Sequence, residues 1–312
     1  MNNQNQTVKI WAGLITLYIV WGSTYLGIRF LVESVPSMMA SGVRNFMAGS
    51  LLLFFSLLSK KYKKPSRKLL ITAALSGFFM LTIGNGLTTT AAKWIPSSYS
   101  ALFSALGPVM LVLLLWGFDN EKPKPKVILG ATLGIIGVCI LMTLKTLAIS
   151  GTSSFNYYLG IVFLFFAILG WNIGVVMVKK AEINHYHVSQ IAGTQMLIGG
   201  TLSLFISYFG GDFTNFHIDN VTTKSLWAFV YLLSIGSITG FLVFSWLSKV
   251  ASPTLVATYT YVNPLVAMFL GWLLAGEKLH PLMIVSGAII ITAVILITSV
   301  SSKKNLPPEF ME

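Results

Sequence analysis

The residues that could do chemistry in this chain are sparse, and most of them stand inside long apolar stretches. The strongest candidate is Arg44, eight residues inside the apolar stretch 36–59, which is about 12 Å along a helix of 1.5 Å rise per residue. A charge at mid-bilayer costs at least about 2.5 kcal/mol on insertion scales, and less if the side chain reaches the interface. Two interpretations stay open. Arg44 either holds an anionic substrate group such as a carboxylate, or it snorkels to the surface or ties helices together through backbone carbonyls.

Other polar and aromatic residues at similar depth complete the predicted substrate site. Trp21 and Trp171 carry indoles that could stack on a substrate or seal a cavity, and helix packing explains them equally well. The remaining candidates offer hydrogen bonds, although each is individually more often a helix–helix contact; they are Tyr25, Asn45, Asn85, Ser98, Asn172, Thr194, Gln195, Tyr261 and Asn263. Ser98 lies just after Pro96, so helix capping competes with substrate binding at that position.

Motifs for catalysis or for ATP use are missing from the sequence. It contains no Walker A, HExxH or G-x-S-x-G pattern. Cys139 is the single cysteine, and the four histidines fall in or near predicted loops. We therefore expect no catalytic residue, no metal site and no cofactor.

The acidic residues are informative by position. All nine fall in predicted loops, tails or span ends, whereas proton-coupled pumps typically use carboxylates inside the membrane. This pattern favours facilitated diffusion or exchange over a proton relay, and it disfavours export of lipophilic cations.

The amino-acid composition indicates that membrane-spanning segments position these residues. Of 312 residues, 55% are hydrophobic and 10% are charged, against about 25% charged residues in soluble domains; the mean hydropathy is +0.78. These values exclude a soluble enzyme, a disordered regulator and a disulfide scaffold. The net charge of +12 is spread between apolar stretches rather than gathered on one face, so nucleic acid is not an expected partner.

Ten apolar segments approach the length of about 20 residues that a membrane helix needs. They lie at roughly 11–31, 36–59, 69–91, 97–118, 127–147, 157–178, 187–209, 225–247, 254–275 and 281–300. The first is predicted to be retained, because no small-residue cleavage site closes it. With the N-terminus cytoplasmic, fifteen of the 21 Lys and Arg residues fall inside and five outside, so both termini are predicted to be cytoplasmic.

An internal repeat relates the two halves of the chain. Offsets of 150 and then 156 residues superpose Trp21 on Trp171, Gly84 on Gly240, Pro108 on Pro264, Trp116 on Trp272 and Glu121 on Glu277. Each repeat holds five spans, an odd number, so the second copy enters the membrane with opposite topology. The predicted fold is an all-α polytopic membrane protein of ten transmembrane helices, arranged as two inverted five-helix repeats.

Three segments of the sequence resemble those of a known protein family. WGSTYLGIRF in the first span, VRNF in the second and NPLVAMFLGWLLAGEKL in the ninth resemble the EamA family of the drug/metabolite transporter superfamily. The resemblance covers roughly residues 10–300. It implies an exporter or facilitator of amino acids and other small metabolites, with the first four helices of each repeat around a central cavity and the fifth and tenth at the periphery. Some relatives have an acid just before the proline of the ninth span, where this chain has Asn263.

The predicted organisation is a cytoplasmic N-terminus (1–10), a first EamA-like repeat (11–147), an external linker (148–156), a second repeat (157–300) and a cytoplasmic tail (301–312). Pro108 and Pro264 are hinge candidates, although static packing explains them as well. Expected partners are a small-molecule substrate and a bilayer with anionic headgroups, which the basic link KKYKKPSRK would contact. A monomer and a homodimer fit the sequence equally.

The predicted function is secondary transport of small polar metabolites such as amino acids, by alternating access, across a bacterial inner membrane. Three alternatives stay open. The chain could carry phosphate-bearing metabolites or nucleotide sugars, which would call for several cations in the cavity. It could also be a non-transporting membrane scaffold or an intramembrane enzyme.

Reporter fusions test the predicted topology. Because basic residues favour the side of the links at 60–68 and 122–126, phosphatase and fluorescent-protein fusions there are expected to report a cytoplasmic location. Fusions at 149–154 and 212–219 are expected to report an external one. Two links on the wrong side would contradict the inverted arrangement.

Overall fold

In the computed structural model of the chain, every stretch of regular structure among the described residues is helical. The description covers residues 3–60, 62–119, 124–144, 151–181, 183, 186–251, 253–256 and 258–302. We number the membrane-type helices spans 1 to 10 in chain order. Spans 1 to 5 are Asn3–Leu31, Ser37–Leu57, Arg67–Ala91, the pair Ser97–Ser104 and Gly107–Asp119, and Pro125–Met142.

The second half continues in the same way. Spans 6 to 10 are Ser154–Lys180, Val188–Phe209, Thr223–Val250, the pair Pro253–Val256 and Tyr259–Ala275, and Pro281–Ser302. Seven helices within these ranges are long and apolar enough to cross a membrane. Spans 5, 9 and 10 contain shorter apolar helical segments, which are Pro125–Leu141, Val262–Ala275 and Pro281–Ala293. Each predicted apolar segment is therefore occupied by a helix, and the all-helical prediction is confirmed.

Helix starts follow local capping chemistry. Ser66, Ser153 and Thr222 stand immediately before spans 3, 6 and 8, and each side-chain oxygen accepts a hydrogen bond from a backbone N–H of the first turn. Such caps satisfy donors that have no partner inside the helix. The capping residues therefore fix where spans 3, 6 and 8 begin.

Spans 3 and 8 each contain a π-helical segment at the same relative place. The segments are Phe78–Asn85 in span 3 and Leu232–Thr239 in span 8. A π-helical turn is rare, and it occurs most often at functional sites. Both segments contribute residues to the central cavity described below, so the irregular backbone lies at the interface of the halves.

The tightest helix contact joins spans 2 and 7. A Cβ atom on Gly49 would lie 2.3 Å from the backbone nitrogen of Leu197, and one on Gly200 would lie 2.3 Å from that of Phe46. Glycine at both positions lets the two backbones touch, as is common between membrane helices. This contact ties one half of the chain to the other beside Arg44.

Spans 5 and 10 pack against each other away from that contact. Ser286 in span 10 donates to the carbonyl of Gly137 in span 5 at 2.6 Å, and both groups are buried. A Cβ on Gly137 would lie 2.6 Å from Ile290. None of the described residues of these two spans lines the central cavity, which matches the peripheral position that the family resemblance implies.

Substitution of Gly49 tests the contact between spans 2 and 7. Gly49→Ala places a methyl group against backbone atoms that have no rotamer to escape into, so we expect a loss of about 1–3 kcal/mol in stability. Thermal unfolding of the detergent-purified protein measures it. Gly117→Ala is the matched control, because nothing lies within 4 Å of a Cβ there. Equal melting temperatures for the two variants would contradict the close packing.

Candidate substrate-binding site

A cavity of about 650 Å³ lies between the two halves of the chain. That volume is typical of sites that enclose a small-molecule ligand. Its described lining comes from spans 1 to 4 and 6 to 9, and most of it is apolar. Nine residues named from the sequence line it: Trp21, Tyr25, Arg44, Asn85, Pro108, Trp171, Asn172, Gln195 and Asn263.

Arg44 is the buried charge of the cavity. Its side chain is 4% exposed, and its Nη2 donates to Asn85 Oδ1 at 2.6 Å. Its Nε is buried without a hydrogen-bond partner, and none of the described carboxylates lies within ion-pair distance. A buried charge without a counter-ion is costly. The guanidinium is therefore held in place by Asn85 and borders the cavity as a charge that none of the described carboxylates neutralises.

A cluster of five aromatic side chains forms another part of the wall. We call Trp21, Trp171, Phe241, Phe244 and Tyr259 the ring cluster. Trp21 is its centre, with ring centroids 6.2 Å from Trp171, 5.9 Å from Phe241, and 5.0 Å from both Phe244 and Tyr259. Most of these pairs meet edge to face, a favourable arrangement for aromatic rings. All five residues line the cavity.

The buried amides of the cavity have part of their hydrogen bonding satisfied by protein groups. Asn172 donates to the carbonyl of Ile168 in its own helix at 2.8 Å, and Gln195 donates to Ser76 Oγ in span 3 at 2.8 Å. In the orientation that satisfies its neighbours, the Asn263 amide nitrogen donates to the carbonyls of Tyr18 in span 1 and Tyr259 in its own helix. Gln195 and Asn263 therefore join spans, and all three side chains border the cavity.

Several predicted positions lie away from the cavity. Asn45 is fully buried and donates to Ser41 Oγ at 3.4 Å. Thr194 donates to the carbonyl of Gln190 in its own helix at 2.7 Å. The side chain of Tyr261 lies outside the described residues. Asn45 and Thr194 each precede or follow a lining residue along the helix, so a rotation of about 100° per residue turns them toward a neighbouring span.

Ser98 is engaged by a carboxylate instead of a substrate. The Glu277 side chain accepts hydrogen bonds from the backbone nitrogens of Ser97 and Ser98 at 2.7 and 3.1 Å, and from both hydroxyls. Gly276 has a φ of +63°, and the Glu277 nitrogen donates to the Gly271 carbonyl at 3.0 Å. This turn at the end of span 9 directs the carboxylate to the start of span 4. A carboxylate at a helix N-terminus is stabilised by the helix dipole as well.

The two proline positions differ in their surroundings. Pro108 lines the cavity, directly after the interruption between Ser104 and Gly107 that divides span 4 into two helices. Pro264 is buried inside the continuous helix Tyr259–Ala275 and is not part of the described lining. A missing N–H at Pro108 is consistent with the local break in the helix. The hinge assignment of both residues stays a prediction.

Sequence reasoning missed several lining residues. Lys179 is exposed at the rim of the cavity, where the sequence suggested only a topology signal. Tyr259, Phe241 and Phe244 complete the ring cluster, and their signal was helical spacing. Tyr259 precedes Asn263 by four residues, and Phe241 precedes Phe244 by three, so each pair shares a helix face.

The cavity extends toward one end of the molecule. Lys179 at the end of span 6 and Val188 at the start of span 7 border it there. At the opposite end, contacts link different spans: Glu33 pairs with Lys224, and Ser225 Oγ donates to the Phe30 carbonyl at 2.7 Å. The Glu277 contact with span 4 lies toward this end as well. We call this the closed end, because these contacts join different spans there, and the end that carries Lys179 the open end.

Comparisons with known proteins agree over almost the whole chain. Residues 9–143 and 158–299 each match the EamA-like transporter family. An Escherichia coli K12 protein described as an uncharacterized inner membrane transporter, YedA, is 33% identical over 94% of this chain and 92% of its own. Protein PecM of Dickeya dadantii is 25% identical over 90% of each chain. A solved crystal structure superposes with a TM-score of 0.62 at 16% identity, covering 98% of this chain and 100% of that one, which shows the fold.

Glu277→Gln tests the carboxylate contact between spans 9 and 4. An amide cannot accept from four donors with both of its terminal atoms, so at least one N–H or O–H loses its partner. Hydrogen bonds to a charged group contribute about 1.5–3 kcal/mol each, and we expect a lower melting temperature.

Glu33→Gln is the matched control for this substitution. Glu33 pairs with Lys224 at partly exposed positions, 29% and 51% exposed, where an ion pair contributes about 0.2–1 kcal/mol. An equal or smaller melting-temperature loss for Glu277→Gln would contradict the assignment.

Proposed function

Because the chain belongs to the EamA-like transporter family, we propose that it moves small polar metabolites bearing a carboxylate, such as amino acids, by alternating access at the central cavity. The relatives support transport and leave the substrate open. The proposal gives Arg44 the role of holding the substrate carboxylate, and it assigns no catalytic step to the chain.

The observation that carries the proposal is the charge of Arg44, which lines the cavity with none of the described carboxylates within ion-pair distance. Its Nη2 donates to Asn85 Oδ1, and its buried Nε has no partner. A carboxylate can accept two parallel hydrogen bonds from a guanidinium and supplies the missing negative charge. The contact with Asn85 joins spans 2 and 3, so Arg44 also ties helices together. The uncompensated charge at the cavity wall is what supports the substrate interpretation.

The proposed architecture is two inverted repeats of five spans. Support comes from the two separate family matches, which fall close to the predicted repeats at 11–147 and 157–300. The repeat-related Trp21 and Trp171 meet with ring centroids 6.2 Å apart, and the two π-helical segments occupy related places in spans 3 and 8. Two residues that are related by a two-fold axis and also touch each other must lie beside that axis. We place the axis through this pair of indoles, in the membrane plane.

Location and energy source follow from the same reasoning. A relative is described as an inner membrane transporter, and we propose that location here, with both termini cytoplasmic and the Lys179 end of the cavity facing the cytoplasm. The described lining contains no Asp or Glu, so a proton relay through a cavity carboxylate has no support. Facilitated diffusion or exchange is the mechanism that this lining favours.

A second candidate function is transport of phosphate-bearing metabolites. The observation that favours it is Lys179, a second cation at the rim of the cavity. A phosphate ester carries more charge than a carboxylate and would use both cations. Competition between a phosphate ester and a carboxylate in the assay below separates the two functions.

Counterflow in proteoliposomes tests the proposed function. Vesicles preloaded with an unlabelled amino acid or monocarboxylate are expected to accumulate the labelled compound with no pH gradient. Arg44→Ala is expected to weaken binding of the carboxylate about 10- to 150-fold, because a charge-assisted contact contributes about 1.5–3 kcal/mol. Arg44→Lys keeps the positive charge but loses the planar guanidinium that can donate two parallel hydrogen bonds, so it is expected to retain part of the affinity for the carboxylate.

The control is the same compound with its carboxylate amidated. The transport rate of this amide is expected to be nearly the same in wild type and in Arg44→Ala. Size-exclusion chromatography checks that the variant remains folded. If Arg44→Ala is folded and moves both compounds at wild-type rates, Arg44 is a structural residue and the site assignment is wrong. Uptake that requires an imposed pH gradient would contradict the facilitated mechanism.

A further inference from the structure

The ring cluster and Arg44 form two unlike parts of one cavity wall, and together they restrict the substrate further. We propose that the substrate is an aryl carboxylate with a net negative charge, whose carboxylate binds Arg44 and whose flat ring packs on the ring cluster. This inference rests on the proposed function and narrows its substrates from carboxylates in general, amino acids included, to aryl carboxylates without an ammonium group.

The two parts of the wall are joined through span 3. Asn85 holds Arg44 by the hydrogen bond to Nη2. The residue before it, Gly84, packs on Trp171, whose Cβ would lie 3.4 Å from a Cβ on Gly84. Two adjacent residues of the π-helical segment therefore contact the two parts of the wall: Asn85 contacts Arg44, and Gly84 contacts Trp171. Arg44 and all five rings line the same cavity, and we place the ring of a ligand bound to Arg44 on the ring cluster.

The ring cluster gives the cavity wall an aromatic part. All five side chains line the cavity, and Trp21 meets Trp171 at 89° and Tyr259 at 86°. Aromatic rings attract one another in edge-to-face and offset-stacked arrangements. A flat ring bound in the cavity can make such contacts with the cluster, whereas an aliphatic group of two or three carbons cannot.

The charges of the lining favour a net anion over a zwitterion. Among the described lining residues, Arg44 and Lys179 are cationic and none is acidic. The ammonium group of an amino acid bound through its carboxylate would stand close to the Arg44 guanidinium, with no carboxylate to offset the repulsion. Like charges at such range disfavour one another. A carboxylate that lacks an ammonium group avoids this repulsion.

Equilibrium binding to the purified protein tests the inference with defined probes. We expect 3-phenylpropionate to bind about 10- to 100-fold more tightly than propionate, because the phenyl ring buries apolar surface. Phenylalanine, the same skeleton with an ammonium group, is expected to bind more weakly than 3-phenylpropionate. Equal affinity for propionate and 3-phenylpropionate, or tighter binding of phenylalanine, would overturn the proposal.

Trp171→Leu tests the ring cluster itself. It keeps an apolar side chain and removes the flat face, so binding of 3-phenylpropionate is expected to weaken about 2- to 12-fold while propionate is unaffected. Trp227→Leu is the matched control, because Trp227 is 68% exposed and points away from the core; it is expected to change neither affinity. Equal weakening of both ligands by Trp171→Leu would show a structural role and overturn the proposal.

The possible results distinguish a failure of this inference from a failure of the proposed function. If Trp171→Leu does not give a monodisperse protein, Trp171→Phe, which retains a smaller ring, replaces it. If carboxylates are transported and depend on Arg44 but the phenyl group adds nothing, the inference fails and the proposed function stands. If 3-phenylpropionate binds with no dependence on Arg44, the carboxylate site of the proposed function fails.

Discussion

A membrane offers no water to polar groups at depth, and every feature of this chain reflects the need to satisfy those groups from within. The described spans are helices because a helix pairs its own backbone. Serine and threonine side chains return their hydroxyl protons to carbonyls one turn earlier, as Thr201, Ser203 and Thr292 do. The amides of Asn172, Gln195 and Asn263 bond to neighbouring turns or spans. Among the described residues, four buried side-chain atoms have no partner: Arg44 Nε, Asn45 Oδ1, Ser56 Oγ and Ser100 Oγ. Arg44 is the one of these four residues that carries a charge.

The same constraint explains where the chain departs from regular helices. Membrane helices tolerate irregular backbone only where it is covered by protein or borders a cavity. The π-helical segments in spans 3 and 8 and the break in span 4 before Pro108 all border the cavity. Irregular backbone in this position places side chains such as Asn85 at angles that a regular helix would not reach. The least regular parts of spans 3, 4 and 8 therefore contribute to the cavity wall, beside regular helix from spans 1, 2, 6 and 7.

Close helix contacts keep this polar interior fixed. The glycine-lined contact of spans 2 and 7 lies beside Arg44, and the Glu277 carboxylate joins spans 9 and 4 at the closed end of the molecule. The first depends on backbone atoms in van der Waals contact, and the second on four hydrogen bonds to one carboxylate. Both contacts join the two halves of the chain across more than 100 residues. In the alternating access that we propose, contacts of this kind are the ones that would have to rearrange.

The sequence by itself determined which segments are membrane helices, that two halves repeat, and that Arg44 is a charge at depth. These properties are local or periodic: apolar length, offset identities, and a basic residue inside an apolar run can all be read along one dimension. The resemblance to the EamA family likewise depended on short motifs, and it was confirmed over both halves.

Only the tertiary structure decided which polar residues face the cavity and which face a neighbour. Asn45 and Asn85 look alike in sequence, yet Asn85 meets Arg44 and Asn45 is buried against Ser41 in its own span. Ser98 was a binding candidate until Glu277, 179 residues later, was found to occupy it. The ring cluster draws on spans 1, 6, 8 and 9. Such assignments depend on how each helix is rotated against partners distant in sequence, and a rotation of 100° per residue turns adjacent positions to different surroundings.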